Sequence, residues 1–418
     1  MVILTLIKRK WYSSDMPILT VEKLRLSHWL FLIFWFLKPF YIFPSGSVQP
    51  SDMIFFLSFL VWLAEERGNL SIDRGNQYFA YFVFSIFVVN TIYSVIYKDT
   101  IFLEKSMFYF YSLLIVIVFP CFAENKQFLK YIFIITMINI IIQLIVFSLN
   151  LGRQAFGVRY MGTFNDPNQF SFFLFASFLL LYLLVYYFRM ESVSPKNVGL
   201  YLFFAIVIFL IFQGSSTGAF LGIVAFIAAL MLSFVTLGRS PMRMVMKLVI
   251  FALIIAALAF VIILIVAPEV FDIQGREKNF LIQRLLEKLG KVSSGGLFAI
   301  VEERQVSRAF LFPINLIYGA GEGLYDRFVK TEPLEIHSTI IALWFYYGII
   351  PISFLFLWIK NKVAGLPHML HPVFWGLLFE SLILANQRQP ILWMLLILGD
   401  LIAHPQGDKE SHGLLRKI

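Results

Sequence analysis

NQFSFFLFASFLLLYLLVYYF, residues 168–188, runs for 21 residues without a charged side chain. A helix rising about 1.5 Å per residue needs about 20 such residues to cross a hydrocarbon layer of about 30 Å, so this stretch reads as a transmembrane helix. Comparable apolar runs precede it at 28–43, 53–64, 78–97, 107–122 and 128–149, and follow it at 198–212, 217–237, 245–267, 338–358, 373–385 and 390–402. The second, eleventh and twelfth are short for a full crossing and must extend into their flanks, tilt little or be partly re-entrant. Of the 418 residues, 60% are hydrophobic and only 14% charged, against about a quarter charged in soluble domains. The 48 Phe lie in unbroken runs rather than alternating segments, which favours helices over a transmembrane barrel. The expected fold is all-α: a polytopic membrane helix bundle of about 12 transmembrane helices, with one long extracytoplasmic loop carrying short helices.

Lys and Arg orient the bundle. With the N-terminus in the cytoplasm, inside segments hold nineteen of the 34, short outside loops five (Lys98, Lys105, Arg153, Arg159, Arg388), and the long loop nine, with Lys38 inside a span. Residues 1–27 then form a retained cytoplasmic lead-in, 28–267 the first nine helices, 268–337 the outside loop, 338–402 the last three helices and 403–418 a cytoplasmic tail. The formal charge of +9 is spread between apolar runs instead of forming one basic face, so nucleic-acid binding is set aside. Cys121 is the single cysteine and excludes an intrachain disulfide. Within the loop, residues 276–292 (REKNFLIQRLLEKLGKV) place apolar residues at helical spacing opposite Lys and Arg; an interfacial helix and one packed on the bundle fit equally.

This topology leaves His337 as the one outside imidazole among six His. It stands where the long loop re-enters the membrane and is the candidate general base, with Glu335 or Glu332 to orient it; a helix-anchoring His is the bland alternative. Asn165-Asp166-Pro167-Asn168, Ser215-Ser216-Thr217-Gly218 and Arg388-Gln389-Pro390 open three helices on the same face. Their exposed amides favour an anion, with Asn165, Asn168, Ser216 and Thr217 as candidate contacts, although ordinary capping would satisfy each motif. Arg153, Arg159, Arg304, Arg308 and Arg388 share that face. Singly each suits a headgroup anchor; together they suit phosphate oxygens, with Arg304 and Arg308 expected one helical turn apart as the best pair. No metal and no cofactor are expected: outside His pairs, Cys clusters and Asp-x-Asp are absent from the sequence, and Glu302-Glu303 would diverge on a helix.

In order, these features resemble the O-antigen polymerase and O-antigen ligase superfamily. The resemblance is carried by Pro44 to Asp52, Arg159 to Asn168, the Ser-rich opening at 215–218, Arg304 to Arg308, the turn Gly319-Ala320-Gly321-Glu322-Gly323, His337-Ser338 with Tyr347-Gly348-Ile349-Ile350, and residues 386–393 (NQRQPILW). It implies a metal-independent glycosyltransferase of the bacterial inner membrane that takes sugar from undecaprenyl diphosphate. His337 would activate the acceptor hydroxyl and Arg304 or Arg308 would hold the diphosphate. Two departures stand out: Ser216-Thr217-Gly218 lacks the family's Arg, leaving Arg159 or Arg388 to replace it, and His337-Ser338 stands for His-Asn, which weakens the ligase reading more. The expected partners are an undecaprenyl-diphosphate-linked oligosaccharide and membrane lipids, with a chain-length regulator and a flippase beside them. Three activities stay open. They are a polymerase of O-antigen, exopolysaccharide or capsule, a ligase moving polymer to a lipid core or protein, and a lipid-linked oligosaccharide flippase. Against the flippase stand the long outside loop and the apparent lack of charges deep in the spans.

Overall fold

The computed structural model describes residues 23–44, 47–69, 72, 74–155, 159–189, 198–236, 304–328 and 335–404. The expected span at 245–267, the amphipathic segment at 276–292, Glu302-Glu303, Glu332, most of the N-terminal segment and nearly all of the tail lie outside the described residues.

The described residues are all-helical apart from one small hairpin, and four of their helices are long and apolar enough to cross a membrane. In chain order the first eight described helices are α1 (Leu26–Leu37), α2 (Pro50–Glu65), α3 (Gln77–Tyr97), α4 (Ile101–Ala123), α5 (Lys126–Ser148), α6 (Pro167–Arg189), α7 (Val198–Gly214) and α8 (Thr217–Thr236). Then come the short α9 (Ser307–Leu311) and α10 (Asn315–Tyr318), followed by α11 (Thr339–Tyr347), α12 (Ile349–Val363), α13 (His371–Ser381) and α14 (Pro390–Ala403). The four long ones are α3, α4, α5 and α6. Phe84, Val95 and Phe356 point outward and are largely exposed, as a lipid-facing surface requires.

The apolar stretch of α6 is 83% buried against 28% for α3 and α5, so α6 is the central post and those two are peripheral. It packs on α5, α7, α8 and α14. α8 packs closely on α13: a Cβ at Gly222 would lie 3.0 Å from the Gly376 carbonyl oxygen, so only small residues allow that approach.

Local chemistry sets the helix ends. Gln49 and Asp52 form a capping box at the start of α2, and Asp52 also accepts from Lys38 at 2.7 Å and Tyr111 at 2.8 Å. The first span, expected to reach Phe43, stops at Leu37 because Pro39 lacks the amide another turn would use. The connection before α6 departs from the expected all-α fold and contains an antiparallel pair, β1 (Arg153–Ala155) and β2 (Arg159–Gly162).

The expected continuous span 338–358 is two helices, broken at Gly348 (φ +79°). Pro351 has no amide for the Tyr347 carbonyl, which ends the hydrogen-bond ladder there. The carbonyls of Phe345 and Tyr346 instead accept from Ala320, and Tyr346 also from Gly321, at 2.8–3.0 Å. A Cβ at Gly348 would stand 2.5 Å from the Ile317 carbonyl oxygen, so the close approach itself demands glycine.

Candidate functional site

Polar side chains tie together the starts of α6, α8 and α11. At the head of α6, Asp166 accepts from the amides of Asn168 (2.8 Å) and Gln169 (3.0 Å), a side-chain cap of the usual Asp kind. Arg159, on β2, is buried and donates to the Gly214 and Ser215 carbonyls at 3.3 and 3.5 Å and to Asn168 at 3.1 Å. It clamps the hairpin to the end of α7 and the start of α6. Asn165 accepts from Arg153 and donates to the Phe43 carbonyl at 2.5 Å.

Ser215 takes a left-handed turn (φ 51°) between α7 and α8. Beside it, Ser216 is buried with no hydrogen-bond partner for its hydroxyl among the described residues. Thr217 accepts from Arg304 at 3.3 Å, and the same guanidinium donates to the Ile383 carbonyl past the end of α13. The head of α11 is fixed to that loop: Thr339 donates through its amide (2.9 Å) and hydroxyl (2.7 Å) to Leu384, and the Asn386 amide donates to Thr339 at 2.8 Å.

Arg304 and Arg308 do not follow one another along a helix as expected. Gln305 between them has φ 58° and α9 starts only at Ser307, so the two guanidinium groups diverge. Arg308 is fully buried, donates to Gln305 at 2.8 Å and lies 5.9 Å from the Phe328 ring. Its Nε and Nη1 meet no acceptor at hydrogen-bond geometry among the described residues, although the Tyr346 and Tyr325 hydroxyls interact favourably with the guanidinium. Buried donors are seldom left without acceptors, and a buried charge without a counter-ion rarer still.

His337 lies next to this pair. Its amide donates to the Arg304 carbonyl at 3.0 Å, while its half-buried ring makes no hydrogen bond among the described residues. Burial pushes the imidazole below its ordinary pKa; Glu335 and Asp166 pull it up, and Arg304 and Arg308 push it further down. The net lowering leaves the ring neutral near pH 7, the state that accepts a proton.

Glu335 does not hydrogen-bond His337. Its carboxylate accepts from Arg388 at 2.9 Å and, at a long 3.4 Å, from Tyr325. Burial pushes this carboxyl up, but the Arg388 charge and hydrogen bond outweigh it and hold it below the usual carboxylate range. Arg388 also donates to Glu322, which is fully buried. Glu322 accepts from Tyr109 at 2.9 Å and from Tyr347, and its amide donates to Asn90 at 3.0 Å.

The sequence-predicted residues thus fall into three groups. His337, Arg304, Arg308 and Thr217 gather around the heads of α8 and α11. Arg388 and Glu335 join a carboxylate cluster next to them. Arg159, Asn165 and Asn168 fasten the hairpin and α6. Glu322, its tyrosines and Lys105 were not singled out, because their association depends on long-range packing. Glu380 in α13 was missed as well: it is fully buried, with one carboxylate oxygen held by Asn386 and the other without a partner among the described residues. It falls within the expected span 373–385, where a lone Glu in an apolar run was the available signal.

No protein-family model and no curated protein matches the sequence.

Proposed function

We propose that this membrane protein is a polysaccharide polymerase, joining undecaprenyl-diphosphate-linked repeat units on the extracytoplasmic face of the bacterial inner membrane. In this reading about twelve spans carry the chain and both termini are cytoplasmic. The observation that carries the proposal is Arg308: a buried guanidinium with two unmatched N–H donors, next to an imidazole free to accept a proton. A diphosphate leaving group needs such donors as its charge develops.

His337 takes the proton from an acceptor sugar hydroxyl, whose oxygen attacks the anomeric carbon of the lipid-linked chain. The bond from that carbon to the diphosphate oxygen breaks, and its electron pair stays on the diphosphate. Arg308 neutralises that charge, aided by Arg304 and the amides at the head of α8. Arg159 is committed to backbone carbonyls and Asn168, so its part is to hold the helix starts in place. Glu380 favours a second reading, a lipid-linked oligosaccharide flippase, because buried carboxyls in membrane helices mark transport paths.

The test is the lipid that accumulates when Arg308→Ala or His337→Ala replaces the wild-type gene. A polymerase predicts single lipid-linked repeats on the outer leaflet and, for His337→Ala, a transfer rate lower by about 10²–10⁴-fold. Repeats stranded on the inner leaflet would establish the flippase; normal chain lengths in both variants would remove the transferase reading.

A further inference from the structure

Arg388 divides its attention unequally. Its Glu322 partner is sealed in, with a side chain 1% exposed and two tyrosine donors, whereas the Glu335 side chain is 31% exposed and, among the described residues, has only Tyr325 besides as a donor. Arg388 Nε has no acceptor among the described residues. Lys105, in the first turns of α4, makes no hydrogen bond or ion pair among them either. Its Nζ lies 5.9 Å from the Phe108 ring and the Arg388 guanidinium 5.4 Å from the same ring, so the two cations flank one aromatic side chain. Lys105 feels Arg388, Glu322 and Glu335 electrostatically.

Two cations and two carboxylates make this cluster neutral. Removing Glu335 would leave one net positive charge: Arg388 and Tyr325 would lose the carboxylate they both donate to, and Lys105 one of its nearby counter-charges. One oxyanion restores the balance. We propose that Arg388, Lys105 and Tyr325 form a second oxyanion subsite, separate from Arg308, which the Glu335 carboxylate occupies until an anionic substrate group displaces it. The group is a sugar carboxylate or a phosphate. Assigning the anion to the acceptor sugar rests on the transferase reading; binding does not, and is measured without turnover.

The experiment titrates glucuronate, inorganic phosphate and, as neutral control, glucose into the purified full-length protein by calorimetry. Glu335→Gln removes the internal competitor and keeps the Glu322 pair, so it should bind one of the anions about tenfold more tightly than wild type. Lys105→Gln should cancel that gain and, in the wild-type background, weaken binding. A gain for glucuronate alone identifies a sugar carboxylate, and for phosphate alone a phosphate. The gain should persist in Arg308→Gln; if it vanishes there, the anion sits at Arg308 and the subsite is overturned. It is equally overturned if Glu335→Gln binds neither anion more tightly, or, should that variant not fold, if Lys105→Gln binds both as wild type does. Loss of phosphate binding in Arg308→Gln reports on the diphosphate reading independently.

Discussion

Replacing Glu322 by Ala tests a fully buried carboxylate that three side chains donate to. Its carboxylate accepts from Tyr109, Tyr347 and Arg388, and its side chain is almost entirely out of solvent. Truncation leaves Arg388 with half its counter-charge and two tyrosine hydroxyls without their acceptor. Breaking a buried ion pair from one side costs about 3–5 kcal/mol. The hydroxyls overlap with that term and do not add fully, so the expected loss is about 4 kcal/mol, a large share of a total stability of about 5–15 kcal/mol. Glu322→Gln keeps an acceptor for the hydroxyls but loses the charge, and should cost about 2 kcal/mol. Urea unfolding of the detergent-solubilised protein, followed by tryptophan fluorescence, gives both numbers. A cycle with Tyr347→Phe should show a coupling of about 1 kcal/mol or more. A Glu322→Ala variant within about 1 kcal/mol of wild type, or effects that simply add with Tyr347→Phe, would refute the buried cluster as a stabilising unit.

The His337 imidazole is held below its ordinary value, and as a base it works unprotonated. Transfer should therefore be full at neutral pH and fall only well below about pH 6.5. Glu335→Gln removes a charge that raises that pKa, so the acid limb of kcat/KM should move to still lower pH; a limb moving upward contradicts the assignment. The same lowering means that the unfolded chain takes the proton first, so this group's contribution to stability is lost as pH falls through that window. Gly348→Ala combines φ +79° with a backbone clash and should cost about 2 kcal/mol or more in the same unfolding assay, with a neutral result excluding a fixed break. Reporter fusions after Gly75 and Lys362 should read cytoplasmic and those near Val48 and Arg388 outside, and a shared side for Lys362 and Arg388 would overturn the orientation.

Hydrophobic run length placed most of the described helices within a few residues, because water-excluding segments of that length have few alternatives. It could not show the break at Gly348: Tyr347-Gly348-Ile349-Ile350-Pro351 is apolar enough to read as one run, and only the Gly with Pro three residues on hinted otherwise. His337, Arg304 and Arg308 were legible as residue types on one face. Their orientations were not, since the left-handed Gln305 turns Arg308 inward while Arg304 reaches α8 and the loop after α13. Glu322 stayed hidden in a glycine-rich turn, because its tyrosines stand 213 residues before and 25 after it, and no local pattern encodes such a meeting.

The helix break also bears on how the protein is made. The nine residues of α11 reach about 14 Å and the fifteen of α12 about 22 Å, so neither matches a hydrocarbon layer of about 30 Å. In the twelve-span reading proposed above, residues 339–358 would enter the bilayer as one segment and bend afterwards. The bend needs the amides of Ala320 and Gly321 to reach the carbonyls of Phe345 and Tyr346. Until they do, a bent chain would expose those carbonyls at a cost of several kcal/mol in lipid. On that reading insertion precedes bending, and a chain halted between the two leaves the Ala320 and Gly321 amides without the Phe345 and Tyr346 carbonyls.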